Sequence, residues 1–151
     1  MLKASQIMTK QYLTISPEMS VEELARLLLR KDVNGAVIVD KKGKLLGVVT
    51  EGDLIAKEKN LHLPTLVSIF DAVVYLETSE HFKGELHKMV ATRVEDIYSR
   101  DPVTINLNST LADIATIMSE KRIHFLPVLD GERVEGVVGR REILKALAEL
   151  T

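Results

Sequence analysis

The sequence predicts an α/β (α+β) fold in which two pseudo-symmetric β-α-β-β-α units pack together, with a helical insertion between them. One observation is a repeat. The string Leu13-Thr14-Ile15 through Gly47-Val48-Val49-Thr50-Glu51-Gly52-Asp53 returns as Val103-Thr104-Ile105 through Gly136-Val137-Val138-Gly139-Arg140-Arg141-Glu142. Thr14/Thr104, Ala25/Ala115, Lys31/Lys121 and Asp40/Asp130 sit at an offset of 90, and Gly47/Gly136 at 89 after a one-residue deletion in a turn. A second is that apolar spacing switches between strand and helix periods in the same order in each copy. A third is size: a half of about this length cannot cover its own sheet, so the halves should bury each other.

In the first copy, Tyr12 to Ile15 is a short β run. Ser20-Val21-Glu22-Glu23 fits a capping box, where hydroxyl and carboxylate satisfy reciprocal backbone donors at a helix start. Val21, Leu24, Ala25 and Leu28 follow at helical spacing. Gly35 to Val39 is a continuous apolar run, which suits a strand covered on both faces. Asp40-Lys41-Lys42-Gly43 is a turn, Leu45 to Thr50 the returning strand, and a second helix starts around Gly52. The second copy keeps the order. Val103 to Ile105 is a strand, and Thr110-Leu111-Ala112-Asp113 opens a helix carrying Ile114, Ala115 and Met118. Phe125 to Leu129 and Arg133 to Val138 form a hairpin around Asp130-Gly131, and Arg141 to Leu150 closes as a helix.

These boundaries divide the chain into repeat 1 (1–60), an insertion (61–93) and repeat 2 (94–151). The insertion is rich in large apolar residues, Leu63, Leu66, Val67, Phe70 and Leu86 among them. It is therefore expected to form one or two helices over the module or its dimer contact, and not to be disordered.

Composition narrows the function classes. With 20 Lys and Arg against 22 Asp and Glu, the net charge of −2 lacks the basic excess of a nucleic-acid binder, and the pair Arg140-Arg141 is too small to change that. There is no cysteine, so disulfides and thiolate metal sites are excluded. Residues 1–7 hold no apolar signal core, and no run approaches 18 apolar residues. The chain is expected to be cytoplasmic, with no membrane partner.

The repeated β-α-β-β-α unit ending in G-h-h-[ST]-x-x-D resembles the CBS (cystathionine-β-synthase-type) domain, paired in tandem as a Bateman module. Gly47 to Leu54, Ile97 to Thr104 and Arg122-Ile123-His124-Phe125-Leu126-Pro127-Val128 carry the likeness, which covers both repeats and leaves only the insertion unmatched. The resemblance implies a regulatory, non-catalytic module that binds an adenosyl ligand (AMP, ADP, ATP or S-adenosylmethionine) between its repeats and pairs into a homodimer. No further cofactor and no metal are implied. With no effector domain in these residues, output is expected in trans, on a regulated protein, or through oligomerisation.

Transferred to this sequence, the resemblance builds one cleft from Val48, Thr50 and Asp53 of the first repeat. Asp53 would chelate ribose hydroxyls and Thr50 would touch ribose or phosphate. From the second repeat, Val103 would lie beside the base, with His124, Arg140 and Arg141 toward the phosphates. The chemistry is coherent: a carboxylate accepts from two vicinal hydroxyls, and Arg makes charge-assisted contacts with phosphate.

Simpler accounts stand beside it. Thr50 to Asp53 is also a helix-capping pattern. His124 precedes an apolar strand and could be a buried, satisfied histidine. Arg140 and Arg141 could be solvated, although two cations in a first helical turn oppose the helix dipole at a cost of up to about 1 kcal/mol each, which a nearby anion would relieve.

The second cleft would use Leu13, Asn34, Gly139 and Glu142. Gly139 has no hydroxyl, Glu142 is one methylene longer than Asp, and Gly52 stands where its counterpart is Arg141. This cleft is expected to be empty or much weaker. His62, His81, His87 and His124 show no metal-ligand spacing. Ser99 and Ser109 have no neighbouring base in sequence. Nothing resembles a catalytic site; the alternative function is a ligand-free structural or dimerisation module acting through protein–protein contact.

Overall fold

The computed structural model describes residues 1–56 and 92–149. Two three-stranded sheets form its frame. In the first, β1 (Leu13–Ile15) runs parallel to β2 (Gly35–Val39), which is antiparallel to β3 (Leu45–Thr50). In the second, β4 (Ile105–Asn106), β5 (Phe125–Asp130) and β6 (Arg133–Gly139) repeat that order and polarity. Helices α2 (Val21–Lys31) and α4 (Leu111–Lys121) make the crossovers. Helices α3 (Glu51–Ala56) and α5 (Arg140–Glu149) follow the last strand of each sheet. The short α1 (Ala4–Ile7) and a 3₁₀ turn (Val94–Asp96) precede the two units.

The expected strands and helices are present, with small shifts. β4 begins at Ile105, leaving Val103 ahead of the ladder behind Pro102, which has no N–H to donate. Of the capping box read at Ser20, the Ser20 hydroxyl accepts from Glu23 N at 3.1 Å. The complete reciprocal box forms at Thr110 and Asp113, each bond 3.2 Å. The helices expected in the insertion lie outside the described residues.

Burial explains the continuous apolar strands. Ala36, Ile38 and Val49 face a core with Leu24 and Leu28 of α2. Leu126, Val128 and Val138 face the matching core with Ile114 and Met118 of α4. The opposite faces of the two sheets meet through Val37, Val48, Phe125 and Val137, so each sheet is covered on both sides. At this seam Gly35 lies against the Phe125 ring. These two residues occupy equivalent positions in the repeats, small in one and large in the other; a Cβ on Gly35 would lie 2.8 Å from that ring.

The segments ahead of each repeat are exchanged. Ala4 is buried in the second core, with Ile7 and Met8 packed on it, while Val94, Ile97 and Tyr98 join the first. Backbone bridges fix the trade: Thr9 pairs with Val137 and Ser99 with Val48, Lys3 with Thr110 and Ser20 with Arg93. Each of these residues stands at its repeat offset from its counterpart, so the two halves are related by an internal two-fold.

Candidate functional site

The turn from β3 into α3 holds the motif residues. Asp53 Oδ2 accepts from Thr50 N at 2.9 Å and from the Thr50 hydroxyl at 3.4 Å, while Asp53 N donates to Thr50 Oγ1 at 3.3 Å. The capping role weighed for this pair is therefore real. Burial pushes the Asp53 carboxyl above the usual carboxylate range, and bonds from the Thr50 backbone, the Thr50 hydroxyl and the Ser99 hydroxyl oppose that rise. No cation pairs with Asp53 among the described residues.

Ser99 was missed by sequence reasoning, which found no partner near it in the chain. Its backbone is tied to Val48 by bonds of 3.1 and 2.9 Å, and its hydroxyl is near enough to Asp53 to favour the charged carboxylate. A signal existed: Thr9 and Ser99 sit at the repeat offset, each ahead of a first strand. The exchange makes room for itself through glycine. Gly47 lies under Ser99 and Tyr98, and a Cβ on Gly136 would lie 2.6 Å from Met8 Sδ and 2.9 Å from the Thr9 carbonyl. The motif glycine is thus a steric requirement of the crossing segment.

The remaining expected residues divide. Val48 is buried in the seam between the sheets. Val103 packs on the second core, four residues beyond Ser99. His124 is exposed at the entry to β5, so it is not a buried core histidine. Arg140 and Arg141 line a cleft of about 890 Å³ whose wall also carries Leu13, Asn34, Gly139 and Glu142; Thr50, Asp53, Val103 and His124 are not on that wall. All four residues expected in the second cleft are therefore brought together there. The two arginines stand with them because α5 starts directly after Gly139.

In this second cleft Glu142 mirrors Asp53. Its Oε1 accepts from Gly139 N at 2.8 Å, the longer side chain reaching back to the same backbone position. Arg141 Nη1 lies 3.6 Å from Asp32 Oδ2, so an anion of the chain itself sits beside one of the two first-turn cations. Tyr12 and Phe125 add aromatic surface, and Lys31, Lys145 and Glu51 add charge. Among the described residues no group of His, Asp and Glu could hold a metal ion, and no helix is long and apolar enough to cross a membrane.

Two sheet-and-helix units, joined by exchanged edges and lining a cleft between them, define a tandem-repeat module. The model of the CBS domain matches residues 4–60 and 94–149, and the chain belongs to that family. It is 29% identical to the protein MJ1404 of Methanocaldococcus jannaschii over 98% of its own length, and spans 32% of that relative. The structure of CBSX2, a protein of Arabidopsis thaliana, in complex with AMP matches with a TM-score of 0.73 at 22% identity, covering 99% of this chain and 98% of that one. The CBS domain pair of MJ0100, in complex with 5′-methylthioadenosine and S-adenosyl-L-methionine, matches with a TM-score of 0.70 at 23% identity, covering 99% and 98%.

Proposed function

We propose that the chain is a regulatory CBS pair that binds an adenosine nucleotide between its repeats. The observation that carries this reading is Asp53: a half-buried carboxylate, held in place by Thr50, unpaired with any cation among the described residues, and costly to keep charged. A group maintained against its own desolvation is a candidate for ligand contact. Vicinal ribose hydroxyls are donors that suit it, and both solved relatives named above carry an adenosine compound.

The ligand is AMP, ADP, ATP or S-adenosylmethionine, and needs no further cofactor. Val48, Thr50, Asp53, Val103 and His124 form the principal cleft, with Arg140 at its border. The cleft with Glu142 binds more weakly, because Gly139 lacks the hydroxyl and Asp32 competes for Arg141. Binding would pull the repeats together and act by favouring one arrangement over another. The role is regulatory, not catalytic; the setting is the cytoplasm; and the output is a regulated protein or a change in a homodimer.

Isothermal titration with the four ligands tests the reading. Micromolar to low-millimolar binding of at least one is expected, and no heat at millimolar ligand overturns it. The alternative, a dimerisation module without ligand, draws on exposed Leu144 (65%) and Leu147 (49%) of α5. A melting temperature raised by saturating nucleotide separates the two, since a ligand that binds only the folded chain stabilises it.

A further inference from the structure

We infer that Arg122 selects phosphorylated ligands in the cleft of Asp53, so that this cleft takes a 5′-phosphorylated nucleoside in preference to an uncharged or sulfonium adenosyl compound. The inference rests on the functional reading above and names the ligand class within it.

Asp32 and Arg122 are the only non-glycine residues with positive φ among those described, at +53° and +54°. Each caps its crossover helix, α2 or α4, and each donates its backbone N–H to the helix four residues back, to the carbonyls of Leu28 and Met118. The local backbone is thus the same at both positions, in a conformation that costs a side chain-bearing residue about 1 kcal/mol. At Asp32 the outcome is visible: the side chain lines the cleft and reaches Arg141 across it.

The internal two-fold transfers that geometry to the other cleft. The counterparts of Asp32 and Asn34 are Arg122 and His124; those of Gly139 and Glu142 are Thr50 and Asp53. The partner that Asp32 finds in Arg141 is replaced by Gly52, which has no side chain to offer. Arg122 is exposed, and no ion pair engages it among the described residues. Glu51, which lines the observed cleft, has Arg140 as its counterpart. Arg140 lines that cleft as well, so this pair leaves both clefts with one charge of each sign, and Asp32/Arg122 is the position that is acidic in one cleft and arginine in the other. A guanidinium projected over an empty position beside a nucleoside site fits a phosphate, to which Arg gives paired, charge-assisted bonds. A sulfonium or a thioether at the 5′ position gains nothing there.

The test is titration of the full chain with AMP and with 5′-methylthioadenosine. The wild type should bind AMP at least tenfold more tightly. Arg122→Ala should weaken AMP about tenfold or more and leave 5′-methylthioadenosine within about twofold. Arg122→Lys should recover part of the loss. Equal weakening of both ligands, or unchanged AMP affinity in Arg122→Ala, overturns the inference while leaving nucleotide binding intact. A wild type that binds neither ligand overturns the functional reading itself.

Discussion

The carbonyl oxygen of Ser99 passes directly over Gly47, so close that a methyl group at that position would overlap it. The obstacle is backbone held by two bonds to Val48, with the Tyr98 ring on the other side. Gly47→Ala should therefore cost about 2–3 kcal/mol, the upper range for overpacking, because the crossing segment must lift off its strand. Urea denaturation measures it. Gly52→Ala is the contrast: its Cβ meets only Thr50 Oγ1 at 3.4 Å, in a helix where Ala is favoured, and it should be neutral or stabilising by up to about 1 kcal/mol.

Asp53 should weaken the free protein and strengthen the bound one. Burial raises its pKa above the ordinary 3.8, so the folded chain keeps the proton to higher pH than the unfolded chain does. Stability then falls as pH rises through the window above 3.8, and the ionised carboxylate is a net cost at neutral pH. Asp53→Asn removes that charge and retains an acceptor for Thr50 N. It should melt at or above the wild-type temperature at pH 7 without ligand, yet bind nucleotide at least tenfold more weakly. Thermal melts with and without AMP check both halves; a lower melting point in the absence of ligand contradicts the account.

Ser99 is a positioning residue for that carboxylate. Its hydroxyl helps hold the charge of Asp53, so Ser99→Ala should raise the Asp53 pKa further and move the acid limb of AMP binding to higher pH. Ser99→Thr should restore the profile. Titrations from about pH 4 to about pH 8 read the limb, and a uniform loss at all pH values would point to structural damage instead.

Arg141 and Asp32 form an ion pair between side chains 71% and 90% exposed, a setting in which such pairs contribute about 0–1 kcal/mol. Arg141→Ala should shift the melting temperature by no more than about 2 °C, and less in high salt. A loss of several degrees would show that the pair fastens the repeats together.

Much of the fold was legible because its signals are local. The apolar run Gly35 to Val39, the helical spacing of Leu24 and Leu28, and the Ser20 and Thr110 caps each lie within a few residues. The motif pair Thr50 and Asp53 could be read for the same reason. The exchanged segments could not: a bridge such as Thr9 to Val137 is one residue wide and has no period. Ser99 looked idle because its carboxylate partner is distant in the chain. The arginines were expected beside Asp53, but the start of α5 commits Arg141 to the side of Glu142, whereas Arg122 drew no notice because a helix C-cap carries no motif.

The traded edges bear on how such a chain could arise. A polypeptide holding one repeat would have its leading segment docked on a neighbour, and two copies would satisfy each other by swapping. The present chain has the form of that swapped pair fused end to end, which makes the partnership independent of concentration. In the fused form each copy can hold its own turn, with Thr50 and Asp53 in one and Gly139 and Glu142 in the other.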